Sequence, residues 1–164
     1  MKNLLILLLT VSSVICYGQN FKPLADYKFK NNGDYKTHEP DVLRCCNYIL
    51  LHADDKEDIN LAIARQFVVT WMTGTEDYTF TIGGPISKIG TKNINLMSVY
   101  MAAAAKYVLE NPDKKNDADA VALNTYKGLI AYVENDKNGV KKNAEYKKLK
   151  EAMDKGNLAE YIKN

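Results

Sequence analysis

The sequence predicts an all-α protein, a compact bundle of five or six helices, and three observations carry that expectation. Apolar residues recur at three- and four-residue spacing through successive stretches. Glycine, Asn-Pro and Asn-Gly breaks fall between those stretches. The one stretch that alternates apolar and polar residues, Tyr78-Thr79-Phe80-Thr81-Ile82, stands alone, and a single extended segment near 78–82 cannot make a sheet.

The first eighteen residues lie outside that fold. Met1-Lys2-Asn3, an apolar run from Leu4 to Ile15, and Gly18 before Gln19 give the layout of a secretory signal, with cleavage expected before Gln19. The run is shorter than the roughly 20 apolar residues that span a bilayer. Cys16 lacks the small residue immediately before it that a lipid-bearing cysteine needs, because Ile15 holds that place. The expected destination is periplasmic or extracellular, with no transmembrane segment in the mature chain.

Residues 19–37 mix Pro23, Asn31-Asn32-Gly33 and scattered aromatics without a period, and so predict an irregular arm. Residues 38–164 then form a single helical domain. Pro40 suits a first helical position, Asp41 suits the first turn, and Val42, Cys46, Ile49 and Leu50 share a face of a helix ending near His52. The acidic run Asp54 to Asp58 opens a second helix, near 56–73, with apolar residues on two faces and Gly74 as a left-handed stop. A third helix near 93–110 contains Ala102 to Ala105, whose small side chains allow close approach, so these two helices are expected at the centre. Asn111-Pro112 ends it. A fourth helix carries Leu123, Tyr126, Leu129, Ile130 and Val133 on one stripe and stops by Asn138-Gly139. A lysine-rich fifth, near 140–155, is expected to bury Leu149, Ala152 and Met153. Gly156 precedes a last turn with Leu158, Tyr161 and Ile162.

Composition narrows function mainly by exclusion. The signal carries Lys2 as its only charged side chain, so 22 basic residues become 21 against 20 acidic ones in the mature chain. That balance gives no reason to expect a nucleic-acid partner. With 46% hydrophobic and 26% charged residues, the chain has the make-up of a globular protein. Cys45 and Cys46 form no disulfide framework, and on a helix neighbouring side chains diverge by about 100°, which predicts two unbonded thiols.

The strongest candidate site gathers Trp71, Glu76, Asp77 and Tyr78, with nearby threonines and Phe80, around a helix end. Aromatics beside carboxylates can recognise a sugar or peptide. Glu76 and Asp77 also raise an alternative, a small exported hydrolase, although acid-base hydrolysis needs two carboxylates across a scissile bond, which adjacent positions do not establish. Trp71 sits on a helix of apolar periodicity, which predicts packing as its main role.

Glu134, Asp136, Asn138 and Glu145, with Gly139 at the sixth place of a twelve-residue loop, give a pattern that is similar to the calcium loop of the EF-hand family. The resemblance implies a calcium-dependent interaction protein. The departures are Glu134 where the family has Asp, Lys141 at the apolar eighth place, and Lys142 where a ligand belongs. His38 and His52, with Glu39, Asp54 and Asp55, lack metal-site spacing, and Gly83 to Lys88 lacks a phosphate-loop ending. No cofactor, metal or catalytic residue is therefore assigned. The expected role is non-catalytic, through binding an unidentified ligand or protein partner or through structural interaction.

Processing before Gln19 is checked by the intact mass of the exported protein. The expected mass begins at Gln19, and a lipid-bearing form beginning at Cys16 would contradict soluble export.

Overall fold

The computed structural model describes residues 20–90 and 95–163. The expected signal and the first residues of the third predicted helix lie outside the described residues. Eight α-helices follow in order: α1 (Asn32–Thr37), α2 (Glu39–Leu51), α3 (Ile59–Gly74), α4 (Pro85–Gly90), α5 (Asn95–Glu110), α6 (Ala118–Glu134), α7 (Ala144–Asp154) and α8 (Leu158–Tyr161). Short 3₁₀ turns occupy Lys22–Leu24, Pro112–Lys114 and Asp136–Asn138. No strand occurs among the described residues, and the Tyr78 to Ile82 segment has no regular secondary structure.

Polar side chains set where the helices begin. Asp58 accepts from the Leu61 backbone N–H at 3.0 Å, Asp117 from Ala120 at 3.0 Å, and Asn143 from Tyr146 at 2.8 Å. Each satisfies a donor that a helix start leaves without an internal partner. These caps move two expected boundaries: α3 begins after Asp58 rather than near 56, and α7 begins at Ala144 rather than near 140. Asn31 caps in the same way, accepting from Asp34 at 3.2 Å. The expected irregular arm therefore contains a helix, α1, and its Phe21 is fully buried in the core. The Gly83-Gly84-Pro85 break opens α4, because proline is preset for a first helical position, and α4 buries Ile86 and Ile89.

The core is organised around α5, which packs against α2, α3, α4 and α6. Ala102 to Ala105 are all buried, and a Cβ built on Gly128 of α6 would come within 3.0 Å of the Ala103 Cβ. Small side chains on both helices thus bring the two backbones close. Of the two helices expected at the centre, near 56–73 and 93–110, α5 contacts four other helices, and α3 packs against α2 and α5 with Leu61, Ala64, Phe67, Val68, Trp71 and Met72 buried. Beside it, α2 touches both α3 and α5, burying Val42, Cys45, Cys46 and Ile49 between them. Each large apolar side chain buried in this way contributes about 1.5 to 3 kcal/mol.

Gly156 does what its position predicts. At φ 76° it closes α7, with the Asn157 N–H donating to Ala152 O at 3.0 Å and the Gly156 N–H to Met153 O at 3.1 Å. On α7, Tyr146 is buried along with Leu149 and Ala152, whereas Met153, expected inside, is 38% exposed. Gly74, the last residue of α3, differs from the expected left-handed stop. It is not left-handed; a Cβ there would overlap the Tyr35 ring, which lies across it and stacks on Phe29 with centroids 4.3 Å apart.

Gly74→Ala should therefore destabilise the fold by about 1 kcal/mol, even though alanine is ordinarily the better helix residue. In a Tyr35→Ala background the same change should be neutral or stabilising. Denaturant midpoints of the four proteins in this double-mutant cycle measure the coupling.

Candidate functional site

The aromatic residues singled out in the sequence do meet, around a tryptophan that is fully buried. Trp71 is fully buried, its indole Nε1–H donates to Tyr35 O at 3.1 Å, and its ring lies 5.3 Å from Tyr78 and 6.0 Å from Phe80. Trp71 is thus the packing residue that its helix periodicity predicts, with Tyr78 and Phe80 resting on it. Tyr78 is half-buried, and its hydroxyl donates to Glu39 Oε1 at 3.0 Å at the start of α2.

The two carboxylates between them go elsewhere. Glu76 is exposed and accepts from the Asn32 side-chain amide, tying the segment to α1. Asp77 is exposed, and its backbone N–H donates to Thr75 Oγ1 at 3.3 Å. Neither carboxylate lines the cleft described below.

Beyond Tyr78 the segment crosses α5 and α6 and forms the wall of a cleft of about 260 Å³. Tyr100 of α5, Ala104 of α5 and Thr125 of α6 make its buried floor, and Val121 and Ala122 its side. Thr79, Thr81, Lys115 and Asn116 stand at the rim. Two tyrosine hydroxyls hold the wall in place: Tyr100 donates to Thr81 O at 3.3 Å, and Tyr126 donates to Gly83 O at 2.9 Å. Tyr126 also accepts from the Ile86 N–H at 3.0 Å, fixing the start of α4. Lys115 places its ammonium 5.0 Å from the centre of the Tyr78 ring, and no carboxylate pairs with it among the described residues. Sequence reading missed the α6 side of this cleft. The available signal was Thr125, a threonine among the apolar positions of α6 that is 1% exposed and turns its hydroxyl back to Val121 O at 2.7 Å.

The EF-hand-like positions do not converge. Glu134 pairs with Lys142 at 2.9 Å and accepts from the Tyr146 hydroxyl at 2.7 Å, while Glu145 pairs with Lys148 at 3.0 Å. Asn138 turns inward, its amide donating to Tyr132 O at 2.8 Å, and Asp136 is exposed on a 3₁₀ turn. A broader hollow of about 450 Å³ beside Glu134 lies open to solvent, and its Lys142, Lys150 and Lys155 are matched by Glu134, Asp154 and Glu151. No group of three potential metal ligands occurs among the described residues.

His52 caps α2, with Nδ1 2.8 Å from Tyr48 O and its ring stacked on Tyr48. His38 lies against Tyr27, with Nδ1 2.9 Å from Asp34 O. Cys45 and Cys46 are unbonded and buried, and burial pushes the Cys45 thiol up to about 12. Such thiols are poor nucleophiles at neutral pH.

The class of protein is thus an all-α helical bundle bearing a small cleft beneath a tyrosine-held segment. No protein-family model, curated protein or solved structure matches the chain. No helix among the described residues is long and apolar enough to cross a membrane.

The tyrosines around the cleft lead to an alkaline prediction. Burial, then the hydrogen bond that the Tyr78 hydroxyl donates to Glu39, pushes Tyr78 up to about 12, and burial also raises Tyr100 and Tyr126. A raised folded-state pKa means that these phenols contribute stability below about pH 10, where unfolded tyrosine begins to ionise. That contribution is lost as pH rises from about 10 towards 12. Unfolding free energy measured from pH 8 to 11.5 should fall with pH, and tyrosinate absorbance should show a late-titrating fraction. Tyr78→Phe should flatten the fall.

Proposed function

We propose that this protein is an exported, non-catalytic binding domain that takes a small molecule into the cleft beneath residues 79–81. The observation that carries the proposal is the construction of the cleft: a buried floor on two rigid helices, a donor-bearing rim, and a wall held by tyrosine hydrogen bonds. Binding sites characteristically combine an apolar concavity with a few polar groups that orient the ligand. At about 260 Å³ the space suits a small ligand rather than a folded partner. The export half of the proposal is supported by the signal-like first eighteen residues.

A binding role fits the side-chain chemistry better than hydrolysis does. Glu76 is engaged by Asn32, Asp77 lies outside the cleft, and Thr125, the threonine hydroxyl in the cleft floor, is committed to Val121 O. No histidine, aspartate or glutamate is among the residues that line the cleft with it.

Ala122→Phe tests the proposal. Ala122 is half-buried at the side of the cleft, so a phenyl ring can occupy the space with a stability change of less than about 1 kcal/mol. A library of small fragments should shift backbone amide resonances of 79–81 and 118–125 in the native protein, and Ala122→Phe should weaken those hits at least about tenfold. Fragments that perturb other surfaces only, or that bind the filled variant equally well, would contradict it.

A further inference from the structure

We infer that the ligand of this cleft is a small organic monoanion, with a compact apolar body that lies on the floor and a single negative charge, such as a carboxylate, that meets Lys115. The inference rests on the cleft being the binding site and adds the chemistry of what it binds.

Charge is the first argument. Lys115 is the only cation among the lining residues, and no aspartate or glutamate lines the cleft. Its ammonium faces the Tyr78 ring rather than a counter-ion, so its charge is only partly answered. A cationic ligand would meet Lys115 with no carboxylate to offset the repulsion. A dianion or polyphosphate would bring more charge than one lysine can match. A single negative charge balances the site.

Hydrogen-bonding capacity is the second. The Thr125 hydroxyl already donates to Val121 O, and the Tyr100 hydroxyl to Thr81 O. The groups left uncommitted among the described residues are the Lys115 ammonium, which can only donate, and the hydroxyls of Thr79 and Thr81 and the amide of Asn116, which can donate as well as accept. This rim favours a ligand head rich in acceptors, and hydrogen bonds to an ionised acceptor are the stronger kind. The floor, by contrast, offers Ala104, Val121, Ala122 and the rings of Phe80 and Tyr100. An apolar body fits there.

Three probes of similar shape and different charge decide the matter: benzoate, benzamide and benzylamine, titrated against the native full-length mature chain while the amide resonances of 79–81 and 118–125 are followed. Benzoate should bind at least about fivefold more tightly than benzamide, with benzylamine weakest. Lys115→Gln should abolish the advantage of benzoate over benzamide, and Lys115→Arg should retain it. Added salt should weaken benzoate alone. Benzamide binding in the cleft as tightly as benzoate would overturn the anion inference and leave the cleft itself standing. No cleft response to any of the three probes, with the fragment library also silent there, would overturn both.

Discussion

The close approach of α5 and α6 is the constraint on which the rest of the molecule depends. A helix surrounded on several sides can be buried only if its neighbours come near enough to leave no void, and distance between axes is set by the side chains at the crossing. Ala102 to Ala105 make α5 thin, and Gly128 on α6 meets Ala103 with no side chain of its own. On another side α2 presents Cys45 and Cys46, both small and both fully buried. The large side chains, Leu96, Val99, Tyr100 and Val108, fill the remaining faces of α5. Placed by this arrangement, Tyr100 and Tyr126 lie with ring centres 5.2 Å apart, edge against face, and their hydroxyls emerge together beneath the 79–86 segment.

Tyrosine is the joining residue of this fold. Its ring packs as a core residue while its hydroxyl reaches polar backbone or a carboxylate at the edge of the core. Tyr132 donates to His52 O, tying α6 to the end of α2. Tyr48 donates to Asp58, whose other oxygen caps α3, and Tyr146 donates to Glu134, joining α7 to the end of α6. Loops that lack secondary structure leave backbone groups in need of partners, and here side chains from the helices supply several of them. The cleft wall is one such loop. Its shape is therefore determined by rings anchored in helices, with no sheet hydrogen bonds behind it.

Much of the fold was legible because helix period and helix stops are local properties. The α2 face with Val42, Cys46 and Ile49, the α6 stripe with Tyr126, Leu129, Ile130 and Val133, and the Gly156 stop all appear where spacing puts them. What escaped was short or depended on a partner. The helix α1 rests on one Asn31 cap, and α4 is six residues long. Gly74 was expected as a left-handed stop and is not left-handed; what excludes a side chain there, the Tyr35 ring, comes from 39 positions earlier in the chain. Half of the candidate site was visible in the same way. The run from Trp71 to Phe80 announced an aromatic cluster, whereas Lys115, Val121, Ala122 and Thr125, which complete the cleft, carry no local mark of belonging to it.

By itself the sequence determined the helical class, most helix positions and the helical setting of the two cysteines, because each follows from side-chain period, capping chemistry or backbone preference within a few residues. Only the tertiary structure decided which way the candidate residues face. It buried Trp71 against Tyr35 O, drew Glu76 to Asn32, and set Lys115 over Tyr78. Those outcomes depend on helix crossing distances and on hydrogen bonds between residues dozens of positions apart, and no local pattern encodes a contact whose partner is supplied by the packing of the whole chain.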